Sequence, residues 1–301
     1  MQQVRVGFLG FGEAGFHFAR GLRQNGVDAV AVYSRSAAQA QPGDAVLARA
    51  AEAGVSIAPS PKALCQQSDV IISVVPGAAA LTAVRSVRAA LRSDQLYVDA
   101  TTAAVETMEK GAALIEGRAG YVDVAIMGPV PLGGIGTPLT ASGPAAQRFH
   151  DLLAPFGMNV TVLDGKPGAA TAMKLIRSVS MKGIANVLIE ALDAAHRHGI
   201  LEAVAEDIAQ SMDERPFMQT IERHVIGTAM HAGRRVHEMT EVLALLKHLG
   251  ASDHMSRAAR AKLKHIAAME LKAHFGGVEP KVIRPVIEAM VEKNSTSGAA
   301  G

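Results

Sequence analysis

The sequence predicts an α/β fold, in which a doubly wound, mostly parallel sheet is followed by an all-helical domain. Short apolar runs rich in β-branched residues alternate with helical segments in the first half of the chain, whereas no convincing strand follows Gly165. Such alternation at short spacing is typical of βαβ units. We therefore expect a sheet domain at 1–165, a helical substrate and dimerisation domain at 166–293, and a flexible tail at 294–301.

Strands and helices are predicted from the pattern of apolar residues. The strands are expected at 4–9, 29–33, 69–76, 96–100, 121–126, 138–142 and 159–163, with helices at 13–24, 36–53, 79–92 and 104–117. In the second domain, a long helix at 167–199 has apolar residues around much of its circumference, so we expect it to be buried between other elements. Further helices are predicted at about 202–212, 216–230, 233–249, 252–273 and 279–292.

Composition excludes several classes of function. Lys and Arg number 30 against 28 Asp and Glu, and aromatic residues are 4% of the chain, so nucleic-acid binding has no support. No apolar stretch is long enough for a membrane span, which needs about 18 residues. The first residues lack the basic start and cleavage site of a signal peptide, and the single cysteine, Cys65, cannot form an internal disulfide. We therefore expect a cytoplasmic protein.

A glycine-rich turn follows the first predicted strand. Gly10, Gly12 and Gly15 form a G-x-G-x-x-G pattern that opens a helix, with Glu13 and Ala14 in its first turn. The first glycine allows a tight turn, the second lets a pyrophosphate approach the backbone, and the third lets helix and strand pack closely. The context predicts a dinucleotide-binding Rossmann domain; the alternative is a glycine-rich turn without a ligand.

The end of the second predicted strand indicates which dinucleotide binds. Ser34 and Arg35 stand where NAD-specific sites usually carry an acidic residue, and no acidic residue occurs between Asp28 and Asp44. A hydroxyl and a guanidinium suit the 2′-phosphate of NADP(H), which a carboxylate would repel. We predict NADP(H) as the cofactor, with NAD(H) as the alternative; Arg35 could also be a solvated charge at a helix start.

The order of several motifs along nearly the whole chain resembles one enzyme family. The motifs are the glycine turn, VVPG at 74–77, VDATT at 98–102, a glycine-rich segment at 128–136, and Lys174 early in the long helix. This series is similar to the β-hydroxyacid dehydrogenases, which include 6-phosphogluconate and 3-hydroxyisobutyrate dehydrogenases. DVAIMGPVP, KLIRSVSMKG and HAGRRVHEM look most like a little-characterised NAD(P)-binding, phosphogluconate-dehydrogenase-like branch. The resemblance implies that Val75 and Pro76 contact the cofactor.

The resemblance also implies a substrate site. A D-x-S-T type motif that binds the substrate carboxylate stands here as Asp99 to Thr102, so Thr101 and Thr102 are expected to bind substrate, although they could instead cap the next helix. The family motif D-A-P-V-S-G-G is altered, with Met127 in place of serine before Gly128, and Pro129 in place of glycine. Two hydrogen-bond donors are lost or moved, which favours a larger or less polar substrate.

Lys174 matches the catalytic lysine of the family. Interconverting an alcohol and a carbonyl needs a group that takes or gives the hydroxyl proton. Lysine, with an ordinary pKa of ~10.4, is a poor base at neutral pH unless burial or a nearby cation lowers that pKa. Lys182, eight residues on, could supply the cation, although an exposed role is favoured for it. The alternative for Lys174 is an ordinary exposed lysine.

Positions after Lys174 depart from the family. Ser178 stands where the family usually has asparagine, and Arg177 could pair with an anionic substrate, so both are expected at the substrate site. The glutamate of 6-phosphogluconate dehydrogenase is replaced by Met181, so decarboxylation of 6-phosphogluconate is not expected. Arg234 and Arg235 could also reach the substrate, although a salt-bridged helix surface is favoured.

The sequence thus predicts one function and leaves two alternatives. The chain is expected to be an NADP(H)-preferring, 3-hydroxyacid-dehydrogenase-like oxidoreductase that acts on a small anionic molecule, forms a homodimer by analogy, and uses no metal, since its histidines form no ligand cluster. Imine reductases on the same scaffold generally lack the lysine. The second rival is a non-catalytic nucleotide-sensing module, as some members of the superfamily have lost the lysine.

Overall fold

The computed structural model describes residues 3–298, and the chain divides into two compact units, Met1–Val179 and Ser180–Gly301. The first unit holds the whole sheet and the second is helical, as the sequence predicts. The predicted boundary after residue 165 lies just beyond the last strand. The division between the two units falls between Val179 and Ser180, inside the long helix Ala169–His198. The first part of this helix therefore belongs to the first unit and the rest to the second.

An eight-stranded sheet forms the centre of the first unit, in the order β3-β2-β1-β4-β5-β6-β7-β8. The strands are β1 (Arg5–Leu9), β2 (Ala29–Tyr33), β3 (Ser56–Ile57), β4 (Val70–Ser73), β5 (Leu96–Asp99), β6 (Gly120–Ile126), β7 (Leu139–Ser142) and β8 (Val160–Val162). All neighbours are parallel except β6 and β7. The doubly wound, mostly parallel sheet is therefore confirmed. Strand order reverses between β1 and β4, and ligands of such sheets bind at the carboxyl ends of the strands there.

The helices of the first unit are α1 (Glu13–Gln24), α2 (Arg35–Ala38), α3 (Ala45–Ala53), α4 (Pro61–Gln66), α5 (Ala80–Val87), α6 (Val105–Leu114), α7 (Val130–Gly133) and α8 (Ala146–Leu153). The single helix predicted at 36–53 is wrong, because α2 and α3 are separate. Pro42 lacks a backbone donor and Gly43 has a φ of +96°, and both interrupt helical geometry between them. The short strand β3 and the helices α4, α7 and α8 were not predicted.

Side chains of the central strands alternate between the two faces of the sheet. Val6 and Phe8 of β1 and Ile72 of β4 are buried in one apolar cluster, whereas Leu9 and Ile71 are buried in the other. Successive strand residues point to opposite faces, so this division follows from the strand geometry. Cys65 is buried in the second cluster, and burial raises the pKa of its thiol to about 11.

The second unit is built from helices. They are α9 (Ala169–His198), which begins in the first unit, α10 (Leu201–Asp213), α11 (Phe217–Leu249), α12 (His254–Ala268), α13 (Leu271–His274) and α14 (Ile283–Gly298). The two helices predicted at 216–230 and 233–249 are both present as the two parts of α11, because the helical geometry is broken at His231, which has φ −129° and ψ 21°. The helix predicted at 252–273 is divided, because Glu270 adopts a left-handed conformation between α12 and α13.

Two further expectations about these helices change. Residues 294–298 of the predicted tail belong to α14, and residues 299–301 lie outside the described part of the chain. Burial of α9 on all sides is wrong for the single chain, since Ile176, Val179 and Ile189 are 70%, 75% and 67% exposed. No helix within residues 3–298 combines the length and the apolar character that crossing a bilayer requires.

Glu190 connects α9 to the start of α12 in the second unit through hydrogen bonds. Its buried carboxylate accepts hydrogen bonds from the backbone N–H of Met255 at 2.9 Å and of Ser256 at 2.8 Å, and from the Ser256 hydroxyl at 2.7 Å. These donors lie in the first turn of α12, which lacks intrahelical acceptors for its N–H groups. Burial acts to raise the pKa of Glu190, but the hydrogen bonds outweigh it and hold that pKa below its usual range.

Candidate functional site

The glycine turn connects β1 to α1 in a tight arrangement. Gly10 has a φ of +109°, and a Cβ there would lie 2.7 Å from the carbonyl oxygen of Val74. A Cβ on Gly15 would lie 2.6 Å from the carbonyl oxygen of Gly10. Contacts within the fold therefore require glycine at both positions, because no side chain fits.

Gly12 differs from its two neighbours in the motif. Its φ is −77°, which any residue can adopt, and, apart from its two neighbours in the chain, no residue within 3–298 has an atom within 4 Å of a Cβ built on it. Packing inside the protein thus gives no reason for glycine here. A ligand that approaches the backbone at Gly12 does give a reason, because a side chain would occupy the same space.

Helix α1 begins directly behind this turn. Gly12 is its N-cap and offers no side chain to accept from the first turn, so helix geometry leaves the N–H groups of Glu13, Ala14 and Gly15 without intrahelical acceptors. The partial positive charge of a helix N-terminus favours an anion there. The residues at this turn therefore fit the pyrophosphate of a dinucleotide.

A cavity of about 850 Å³ extends from the glycine turn across the carboxyl ends of β1, β2 and β4. Its volume lies within the range of ~300–1,000 Å³ that is usual for ligand pockets. It is lined by residues that the sequence predicted for the cofactor: Gly10, Gly12, Ser34, Arg35, Val75 and Pro76. Thr82 and Ser86 of α5 also line it, and these two were not predicted because they carry no motif of their own.

The end of β2 contributes polar groups to the cavity but no carboxylate. Ser34 caps α2 by accepting from the N–H of Ala37 at 3.1 Å, and its hydroxyl lies 3.1 Å from that of Ser36. Arg35 is exposed in the first turn of α2. None of the described residues that line the cavity is acidic. This part of the cavity is therefore suited to an additional phosphate.

A second group of predicted residues meets where β5 ends and α9 begins. The Lys174 amine donates a hydrogen bond of 2.9 Å to the hydroxyl oxygen of Thr102. The Lys174 side chain is half-buried. An amine and a hydroxyl in contact at a strand's carboxyl end can exchange a proton with a bound molecule.

The threonines after β5 do not cap the next helix through their side chains. Helix α6 has Ala104 as its N-cap, without a side-chain hydrogen bond. The Thr101 N–H donates to Asp99 at 3.1 Å, and its buried hydroxyl, which interacts only weakly with the same carboxylate, makes no hydrogen bond of good geometry within the described chain. A buried hydroxyl without a partner is costly, so a ligand that bonds to it would be favoured.

Asp99 holds this turn in place. Its carboxylate is buried and accepts from the Thr101 N–H and from the Tyr121 hydroxyl at 3.2 Å. Burial raises the pKa of Asp99, which the hydrogen bonds from Thr101 and Tyr121 partly offset. The Asp99 carboxylate accepts its hydrogen bonds from groups of the protein itself. These hydrogen bonds order the backbone that carries the two threonines.

The altered motif after β6 lies beside Arg177. One guanidinium nitrogen of Arg177 lies 3.4 Å from the carbonyl oxygen of Met127, and Met127 itself is half-buried. A Cβ on Gly128 would make only ordinary contacts at 3.6 Å, so the fold does not demand glycine there. The Ser178 hydroxyl donates to the carbonyl oxygen of Lys174 at 2.9 Å, so its proton is engaged in its own helix.

Other candidate residues have partners within the second unit. Arg234 pairs with Glu238 at 3.5 Å, Arg235 donates to the Thr228 hydroxyl, and Lys182 is exposed. Arg234 thus forms the kind of salt bridge that the sequence favoured, whereas the contact of Arg235 is to a hydroxyl. Across residues 3–298, no group of three His, Cys, Asp or Glu side chains is arranged to hold a metal ion.

Two known families match parts of the chain. Residues 5–165 match the family described as the NAD binding domain of 6-phosphogluconate dehydrogenase. Residues 195–266 match a domain of unknown function, DUF1932. An uncharacterised 28.5 kDa protein of Methanothermus fervidus is 26% identical over 263 residues, which are 87% of this chain and 99% of that protein.

Solved structures extend the similarity. The conserved protein MTH1747, of unknown function and described as structurally similar to 3-hydroxyacid dehydrogenases, is 33% identical, with a TM-score of 0.60 over 88% of this chain and 98% of its own. The imine reductase of Myxococcus stipitatus with NADP+ is 17% identical, with a TM-score of 0.70 over 93% and 98%. Its V8 variant with NAD+ is 18% identical, with a TM-score of 0.74 over 96% and 100%. At this identity, the likeness to the imine reductase concerns the fold.

Proposed function

The chain belongs to the family defined by the NAD binding domain of 6-phosphogluconate dehydrogenase, and from this premise we propose that it is an NADP(H)-preferring oxidoreductase. Its substrate is a small anionic hydroxy acid or a related alcohol or carbonyl compound, and Lys174 is the general acid and base. The observation that carries the proposal is the hydrogen bond between Lys174 and Thr102 at the carboxyl end of β5.

The first group of residues holds the cofactor. The N–H groups at the start of α1 bind the pyrophosphate, and the open space at Gly12 admits it. Ser34 and Arg35 bind the 2′-phosphate, while Val75 and Pro76, which follow β4, form an apolar wall. The nicotinamide supplies the chemistry of hydride transfer when it is bound.

The second group handles the substrate and its proton. The hydroxyls of Thr101 and Thr102 bind the substrate beside the amine of Lys174, and Thr102 fixes the direction of that amine. Lys174 takes the hydroxyl proton when the alcohol is oxidised and returns it when the carbonyl is reduced. Arg177, which has a cationic side chain three residues further along the helix, attracts the anionic group of the substrate.

The altered motif limits the substrate. The family serine, which would donate a hydrogen bond, is Met127 here, and the half-buried thioether presents an apolar surface. Gly128 leaves room beside it, since a Cβ would still find only ordinary contacts. A substrate with an apolar group next to its anionic one fits this combination better than the smallest 3-hydroxy acids.

A substrate panel tests the proposed reaction. Ketones, keto acids and cyclic imines are offered with NADPH to the wild type, to Lys174→Ala, and to Lys110→Ala as a control at an exposed lysine of α6. We expect reduction of keto acids, a fall of about 100-fold or more in kcat for Lys174→Ala, and no change for Lys110→Ala. Full turnover by Lys174→Ala contradicts the proton role.

The same panel separates the two rivals. Reduction of cyclic imines without reduction of keto acids would assign the chain to imine reduction, which its fold also accommodates. Tight binding of NADPH without turnover of any substrate would favour a nucleotide-sensing module. The presence of Lys174 in contact with Thr102 is the observation that favours the hydroxyacid reaction over both.

We also infer that two copies of the chain associate through α9. Ile176, Val179 and Ile189 of this helix are mostly exposed, and apolar surface of this extent is typical of protein interfaces. The second unit adds an apolar cavity of about 600 Å³ between α9, α10 and α11, into which side chains of a partner could pack.

Light scattering tests the association. We expect a dimer mass for the wild type and a lower mass for Ile189→Glu, because a charge cannot be buried in an apolar interface without a large cost. Val278→Glu is the control, since Val278 is comparably exposed but lies outside α9. A monomeric wild type would contradict the inference.

A further inference from the structure

The carboxylate of Asp123 on β6 is fully buried and accepts four hydrogen bonds. One oxygen accepts from the Ser142 hydroxyl at 3.1 Å, the Gly168 N–H at 2.9 Å and the Thr171 N–H at 3.0 Å. The other accepts from the Thr171 hydroxyl at 2.6 Å. Three of these four donor groups belong to the segment in which α9 begins.

This arrangement caps α9 from a distance. The first N–H groups of a helix need outside acceptors, and a negative charge is favoured at that end. The acceptor usually comes from the residue just before the helix, but Asp123 lies 45 residues from Gly168 and 48 from Thr171. Ser142 of β7 adds a fourth anchor, because its hydroxyl accepts from the Ala170 N–H at 2.9 Å. The first turn is therefore fixed directly to two strands of the sheet.

The anchored turn is the one that precedes Lys174. Thr171 and Lys174 are three residues apart, so they lie on neighbouring positions of one helix face, about 4.5 Å apart along the axis. This helical turn thus links Thr171, which is bound to Asp123, to Lys174, which is bound to Thr102. Terminal helical turns fray when their caps are lost, and fraying here would displace the amine from the Thr102 hydroxyl.

We propose that Asp123 is a positioning residue for the reaction, which acts through Thr171 to hold the amine of Lys174 at Thr102. The proposal rests on the proposed function of Lys174. Asp123 does not reach the substrate, because its oxygens are occupied by donors from inside the protein. It fixes the rotation and the axial position of the helix that carries the amine.

Glu190 provides a matched structural control. It is also a buried carboxylate that caps a helix from a distance, and its donors come from the first turn of α12. None of the residues proposed for the cofactor or the substrate lies on α12. Loss of this cap should therefore cost stability without moving the Lys174 amine.

The experiment compares Thr171→Val, Thr171→Ser, Asp123→Asn and Glu190→Gln with the wild type. Thr171→Val removes one donor at nearly constant volume, and a misplacement of about 1 Å can cost up to ~100-fold in rate, so we expect kcat to fall by about 10-fold or more. KM for the cofactor should stay unchanged. Thr171→Ser, which keeps the hydroxyl, should restore kcat to nearly the wild-type value. Glu190→Gln should lower Tm but leave kcat unchanged.

Two further readouts are independent of turnover. Hydrogen exchange of the backbone at 169–176 should be faster in Thr171→Val and in Asp123→Asn than in the wild type. Acetylation of Lys174 by a small amine reagent, measured by mass spectrometry against exposed Lys110, should also be faster in both variants. If no substrate is turned over, the proposed function fails, whereas these two readouts still decide the positioning role.

If Asp123→Asn does not fold, Thr171→Val alone can still contradict the positioning role. The contradicting result is a lower Tm for Thr171→Val with unchanged kcat, unchanged exchange at 169–176 and unchanged acetylation of Lys174. In that case the carboxylate of Asp123 serves stability alone, as the carboxylate of Glu190 does.

Discussion

The side-chain amine of Lys174 donates a hydrogen bond of 2.9 Å to the hydroxyl oxygen of Thr102, across 72 residues of sequence. Thr102 follows the carboxyl end of β5, and Lys174 lies in the second turn of α9. The contact joins the edge of a parallel sheet, where α/β proteins bind ligands, to the helix that leaves the sheet.

Replacing Thr102 tests the value of this contact. Hydrogen bonds to charged groups contribute about 1.5–3 kcal/mol, so Thr102→Val is expected to lower kcat/KM for the substrate by about 10- to 100-fold. Thr102→Ser keeps the oxygen and should retain most of the activity. Steady-state kinetics with NADPH measures both variants, and equal activity of Thr102→Val and wild type would show that the contact does not serve catalysis.

Arg35 is expected to distinguish the two cofactors. A charge-assisted hydrogen bond to the 2′-phosphate is worth about 1.5–3 kcal/mol, so Arg35→Ala should weaken NADPH binding by about 10- to 100-fold and leave NADH binding unchanged. Arg118→Ala, at another exposed arginine, is the control. Dissociation constants from cofactor fluorescence give the answer. A preference for NADH that persists in Arg35→Ala would refute the assignment.

Gly12 and Gly15 should respond differently to a single added methyl group. In Gly12→Ala the new Cβ meets open space, so unfolding free energy without cofactor should change by no more than about 1 kcal/mol, while cofactor affinity falls strongly. In Gly15→Ala the Cβ would lie 2.6 Å from the Gly10 carbonyl oxygen, so stability should fall by about 1–3 kcal/mol even without cofactor. Denaturant unfolding and cofactor titration measure the two effects. Unchanged affinity in Gly12→Ala would mean that no ligand uses this space.

The cap at Glu190 predicts a dependence of stability on acid. The pKa of Glu190 is lower in the folded protein than its ordinary value of 4.5, so the folded state holds the carboxylate unprotonated where the unfolded chain already binds a proton. Its contribution is therefore complete above the unfolded pKa and is lost as pH falls through the folded pKa. Glu190→Gln should differ most from wild type near neutral pH, and the difference should shrink in acid. Urea unfolding at several pH values measures this, and a difference that is constant with pH would exclude the effect.

Most of the sheet could be predicted because its strands are continuous apolar runs. All seven predicted strands are present, and the strand that was missed, β3, has two residues, too few to show any periodicity. The break between α2 and α3 could have been predicted from Pro42 and Gly43, because these two residues are a turn signal within an alanine-rich segment. The break between α12 and α13 at Glu270 had no such signal in the sequence. Glutamate rarely adopts a left-handed backbone conformation, so the packing around Glu270 must determine that conformation.

The candidate site could be predicted only where its parts are local. The glycine turn needs residues within one strand–helix junction, so spacing alone indicates it. The family resemblance assigned Lys174 and Thr102 to one site, but the hydrogen bond between them was not predicted, since periodicity does not show which residues after β5 and on α9 meet. The carboxylate of Asp123 was visible in a motif, but its hydrogen bonds to Gly168 and Thr171 depend on the packing of α9 against β6 and β7.

The chain has a single cysteine, Cys65, and it is buried with a thiol whose pKa is raised to about 11. Thiol reagents attack the thiolate, which is scarce here at neutral pH and is shielded from solvent. A cysteine introduced at the exposed position of Met173 would then be labelled selectively, without first removing the natural one. A fluorescent or spin probe at that position would report directly on movements of the helix next to Lys174.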